Sequence, residues 1–150
     1  MNDILRYILA GIQIYGGVIG IVTLGVLEMP WFFKWLGLTL FILSVVSGML
    51  LGLNRKLGFP LSRLNFALQV VGVGLLSTFL FNYHSGVHIS LGMDFVETSV
   101  IIFNFGLYSE FAAGLGTAVD DNHVMINVFA IWCFAKCMRV ESGDSQNKLE

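Results

Sequence analysis

Three histidines and five of the ten acidic residues fall within a single stretch of this chain, His84 to His123. His84 and His88 stand four apart, Asp94, Glu97, Glu110, Asp120 and Asp121 follow, and His123 closes the stretch. Imidazole and carboxylate together ligate zinc, copper or iron, so His84, His88, Asp94 and His123 are the set from which a transition-metal site would be drawn. A pair of histidines four apart grips a metal only from a helix face. Here Gly86 lies between them and a two-residue alternation begins at His88, which opposes a helix. Ordinary polar loop residues are the default reading, and no cofactor is expected. Cys133 and Cys137, one helical turn apart, fit neither a disulfide framework nor a zinc pattern. There is no Ser/His/Asp spacing and no phosphate-cradling glycine loop. No acidic pair sits within a long apolar run, which weakens a proton-coupled transporter.

The elements that would position these residues are set by composition. The chain is 56% hydrophobic and 12% charged, with mean hydropathy +0.80 and net charge -2. A soluble domain is about one-quarter charged, so lipid is the expected solvent for most of the chain, and no nucleic-acid partner is implied. Charge-free runs at Tyr7–Leu27, Trp35–Leu53 and Leu64–Tyr83 each approach the roughly 20 residues that a helix needs to cross a bilayer. Val124–Met138 is shorter and works as a fourth span if Lys136 snorkels to water.

The expected fold is therefore an integral membrane protein, mainly α. Residues 1–140 would form one domain of four transmembrane helices, spanning about 5–27, 34–53, 63–83 and 123–140. A small extracytoplasmic β-hairpin or β-meander, residues 87–117, would sit between helices three and four, and 141–150 would be a polar disordered tail. The alternation carries the β expectation: His88, Ser90, Gly92 and Asp94 share one face, and Ile89, Leu91, Met93 and Phe95 the other. Val100–Leu107 continues as a second strand, Tyr108–Leu115 as a third, with Glu97-Thr98 in the turn and Gly116 to Asn122 as loop.

Reading 95–119 as a fifth helix instead spoils the charge distribution. Four spans place Arg6, Arg55, Lys56, Arg63, Lys136, Arg139 and Lys148 on one side against Lys34 alone. Five spans would split the cations evenly. Lys/Arg asymmetry sets orientation, so both termini are expected in the cytoplasm, with the chain in a plasma or inner membrane.

Small residues offer helix-packing faces at Gly16 and Gly20, and at Ser44, Gly48 and Gly52. Gln13 is the lone strongly polar group of the first run and needs a partner, for which Asn65 and Gln69 are candidates. Trp31 and Trp35 are placed as interfacial anchors, as are Arg55, Lys56 and Arg63 on the basic side. A two- or three-stranded sheet is marginal alone, so its apolar face needs a cover: the membrane surface, a second copy or another membrane protein. The expected function is a non-enzymatic interaction or accessory subunit that self-assembles or binds a partner through its β region. An oligomeric channel or transporter for small ions is the alternative, its acidic outer loop gathering cations, and a metal-dependent membrane enzyme comes third.

Overall fold

The structure is a computed structural model and describes residues 2–75, 79–95, 100–115 and 122–146. Helix α1 (Asp3–Val26) is capped by Asn2, whose side chain accepts from the Ile4 amide. Helix α2 (Trp31–Gly52) begins just after Pro30, where a missing amide costs nothing. The short helix α3 (Gly58–Leu68) is followed by six strands: β1 (Val71–Leu75), β2 (Phe79–His84), β3 (Val87–Asp94), β4 (Val100–Leu107), β5 (Glu110–Leu115) and β6 (His123–Asn127). Helix α4 (Val128–Gln146) ends the described chain and continues into the stretch read as a polar tail.

Four membrane-crossing helices are not what forms. Among the described residues only α1 and α2 are long and apolar enough to cross a bilayer. The third apolar run leaves its helix at Leu68 and becomes β1 and β2. The reason is local. Val70-Val71-Gly72-Val73-Gly74 alternates branched residues with glycine, the poorest helix former after proline. In a strand that alternation is useful: a Cβ at Gly72 would stand 2.9 Å from the Asn82 side-chain oxygen on the neighbouring strand. The fourth run also starts as strand. Asn127 then caps α4 by accepting from the Ala130 amide at 3.1 Å. Its apolar part, Val128–Met138, is too short to cross.

The β region is correspondingly larger than a hairpin inserted at 87–117. The strands form one antiparallel sheet in the order β4-β3-β6-β1-β2-β5. The alternation from His88 to Asp94 falls in β3, with Phe95 just beyond it, and Val100–Leu107 is β4. The expected Glu97-Thr98 turn and the loop from Gly116 to Asp121 lie outside the described residues. The last strand, β6, fills the centre, between the β3–β4 hairpin and the β1–β2 hairpin.

Helices α1 and α2 pack antiparallel over small residues. A Cβ at Gly17 would meet Val45 at 2.6 Å, and one at Gly48 would meet the Ala10 carbonyl at 2.8 Å. Towards the start of α1, the core holds Leu9, Leu51, Phe66, Cys133 and Cys137, drawn from all four helices. Towards its end, the core is Leu24, Leu40, Phe41, Tyr83 and Phe111, where the sheet replaces α3 and α4. The β2–β3 turn, Ser85-Gly86, with Gly86 at φ +88°, presses on Gly16 near the midpoint of α1. Any side chain at Gly16 would collide with that turn's backbone.

Candidate functional site

The described interior is polar. Thirteen polar or charged residues are buried against twelve hydrophobic ones, the reverse of a soluble core. They form two clusters that meet at Ser85.

The first cluster lies between α1, α2 and α3. The Gln13 amide donates to Ser62 Oγ at 3.1 Å, and its oxygen accepts from Ser47 Oγ and from Asn65 Nδ2, the latter at 3.2 Å. Ser44 Oγ donates to the Gln13 carbonyl at 2.9 Å. With its one hydrogen so used, Ser44 accepts from Ser85 Oγ at 2.8 Å. The Tyr83 hydroxyl sits 2.9 Å from both the Leu40 carbonyl and Asn65 Oδ1, and donates to one at a time. Gln69 turns elsewhere: its oxygen accepts from the Ser85 amide at 3.0 Å.

The second cluster lies where β2 and β3 converge. In a flat sheet those strands, three positions apart in the order, would be about 14 Å apart. The sheet curls, and the His84 and His88 rings stack with centroids 4.5 Å apart and planes 13° from parallel. Tyr108 meets His88 edge-on at 4.7 Å. A Cβ at Gly106 would strike both of those rings. Asn127 Nδ2 lies 3.4 Å from His84 Nδ1. If the amide donates, the His84 proton is on Nε2, which is buried without a hydrogen-bond partner among the described residues, as is Ser90 Oγ. Ser109 Oγ donates to the Gly16 carbonyl of α1 and accepts from the Gly86 amide at 3.3 Å, which ties the sheet to the helix.

Burial disfavours the imidazolium form of both histidines. It pushes His84 down to about 4, with His88 beside it adding repulsion. Burial lowers His88 as well, while the Asn104 amide and the Glu110 carboxylate pull the other way in part. The pair is neutral at pH 7. Stacked neutral rings hold their lone pairs in nearly parallel planes, which does not bring them onto one ion.

The residues singled out for metal binding divide. His84 and His88 come together, and Asp94 pairs in register with His123 at the opposite end of β3. Six residues of strand, roughly 20 Å, lie between the pairs. Among the described residues no three His, Cys, Asp or Glu side chains gather as metal ligands would.

The packing residues are used within the chain. Gly20 accommodates the Phe41 ring, and a Cβ at Gly52 would make only ordinary contact with Ala10, at 3.5 Å. Trp31 and Trp35 are exposed at the start of α2. Arg55 and Lys56 are exposed in the turn after it, and Arg63 lies 3.3 Å from Met138 Sδ. Sequence reading missed Ser47, Ser62, Ser85 and Asn127. Only Ser44 and Ser47, three apart on one helix face, gave a signal that could have been followed.

The molecule so defined is an α+β protein with two helices long and apolar enough to cross a membrane and a hydrogen-bonded interior. Comparison with known protein families, with characterised proteins and with solved structures finds no match.

Proposed function

We propose that the chain is an integral membrane protein, held by α1 and α2, that self-assembles through the open β4 edge of its sheet and acts as a non-enzymatic structural or accessory subunit. Edge strands of soluble proteins are shielded by charge, proline or brevity. β4 has none of these: Val100–Leu107 is eight residues long, uncharged and free of proline. It exposes Ile101, Phe103, Phe105 and Leu107 in alternation. This edge, which no other described strand pairs, is the observation that carries the proposal. A second copy meeting it across a two-fold axis would pair β4 with β4 antiparallel and satisfy both rows of amides.

The surface supports the membrane part. Exposed apolar residues run along α1 (Ile8, Tyr15, Val18, Val22) and along α2 (Trp35, Ile42, Val46, Met49). The described cations Arg6, Arg55, Lys56, Arg63 and Lys136 belong to the end of the molecule where α1 begins, with Lys34 at the other. In this reading the basic end faces the cytoplasm.

Cysteines placed one at a time along β4 test the assembly in detergent-solubilised protein. Crosslinking should peak at one position, fall off symmetrically on either side, and accompany a particle mass of at least two chains. A well-folded monomer without crosslinks at any β4 position sinks the proposal.

The buried string from Ser62 through Gln13, Ser44 and Ser85 to the histidines supports a second reading, a conduit for small ions through the assembly. Reconstituted vesicles that stay as tight to cations as empty ones remove it.

A further inference from the structure

A cleft of about 370 Å³ opens on the outer side of the α1–α2 pair, lined by Tyr7, Ile14, Gly48, Met49, Gly52 and Leu53. That is within the range of small-molecule sites, about 300–1,000 Å³. Two glycines help form it. Gly48 has no room for a side chain, since its Cβ would press on Ala10 and Ile14 of α1. Gly52 is different: its Cβ would make only ordinary contact, with Ala10 at 3.5 Å, so the space beside it is open.

The cleft lies at the basic end of the molecule. Leu53, on its rim, is followed by Asn54 in a left-handed conformation (φ 53°), and the chain then folds back so that the Arg55 amide bonds the Leu50 carbonyl at 2.9 Å. This turn, which begins one residue beyond the cleft-lining Leu53, carries Arg55 and Lys56, both exposed. On the α1 side, the Arg6 guanidinium lies 4.9 Å over the Tyr7 ring and holds Asp3 at 2.9 Å. Asp3 is thus paired with Arg6 and does not cancel Arg55 and Lys56.

We infer that this cleft is a binding site for one anionic phospholipid, with an acyl chain along Gly48–Gly52 and the headgroup phosphate on Arg55 and Lys56. An apolar slot followed within three residues by two exposed cations matches an amphiphile of negative charge. Basic pockets between helices on the cytoplasmic side take such headgroups. The inference rests on the membrane reading given above, and its occupant is a lipid, not a protein.

Native mass spectrometry of the full chain in a neutral detergent tests it, with dioleoyl phosphatidylglycerol and dioleoyl phosphatidylcholine as probes. The expected result is one retained phosphatidylglycerol, with affinity falling about fivefold for each cation removed in Arg55→Gln and Lys56→Gln. Gly52→Leu fills the slot, leaves both cations, and should abolish retention. Glycerol 1-phosphate, a headgroup without chains, should not displace the lipid. Equal retention of phosphatidylcholine overturns the proposal, as does undiminished binding in the double glutamine variant. Full retention by a folded Gly52→Leu variant, or displacement by glycerol 1-phosphate, overturns the acyl slot and with it the site. If Gly52→Leu loses its helical signal, the two exposed glutamine substitutions decide alone. A chain that stays in solution without detergent defeats the membrane reading itself, whereas a detergent-requiring chain with no lipid preference defeats this inference only.

Discussion

Gly106 shows how tightly the histidine cluster is built. Its missing side chain is the space that His88 and Tyr108 occupy. Gly106→Ala should therefore destabilise the protein by about 1–3 kcal/mol, the usual cost of overpacking, read as a lower urea midpoint. A rise in stability would mean the rings are free to move aside. The neutral, buried histidine pair also sets a pH dependence. Both rings are held below the ordinary histidine value, His84 at about 4. Between about pH 6.5 and 4 the unfolded chain thus binds more protons than the folded one. Stability should be full above pH 6.5, fall as pH drops towards 4, and level off below. The slope is at most about 1.4 kcal/mol per pH unit for each histidine. Unfolding curves at pH 7, 6, 5 and 4 measure it, and the slope should vanish in a His84→Gln/His88→Gln variant. At this scale the sequence was partly legible. A lone amide in an apolar run, Gln13, announces a need for a partner, and Asn65 supplies part of it. The serines gave little warning, because a hydroxyl in a membrane helix bonds its own backbone as readily as a neighbour. Thr23 and Thr39 do so, to the carbonyls four residues earlier.

Among the elements, α1 and α2 follow from their apolar runs, β3 from its alternation and β4 from its strand-like composition. The stretch from Leu64 to Tyr83 does not. Its length matched a membrane helix, and a continuous apolar run cannot be assigned by period alone. The Val-Gly-Val-Gly repeat and the aromatic residues at 79, 81 and 83 were the contrary signal. Lys/Arg bookkeeping did not expose the difference, for a physical reason. Helix α3 enters from the basic end, the sheet reverses the chain, and α4 returns beside α3. A half-length excursion leaves Lys136 on the same side as a full crossing and return would. The strand assignment makes its own prediction. With cysteines at 101 to 107, an apolar maleimide should label 101, 103, 105 and 107 quickly and the even positions slowly, since the odd residues face outward. A period of three to four would indicate a helix.

At the scale of the whole molecule, an apolar exterior encloses a polar, hydrogen-bonded interior. That arrangement suits a solvent that cannot hydrogen-bond, because lipid-exposed helices and strands must satisfy their amides internally. Composition led to the expectation of an apolar exterior and not of this interior, since which polar groups meet depends on the curl of the sheet and on the close approach at Gly16, both made by residues far apart in sequence.

The central place of β6 has a consequence for biosynthesis. The strand lies between Val71–Gly74 and Ser90–Asp94, yet it is the last of the six to leave the ribosome. Until Asn127 emerges, the nascent chain carries two separate ribbons whose inner rims are bare. Contacts this distant in sequence close slowly, and unpaired rims invite wrong partners. Helices α1 and α2 can join as soon as they are made, whereas the sheet waits on β6.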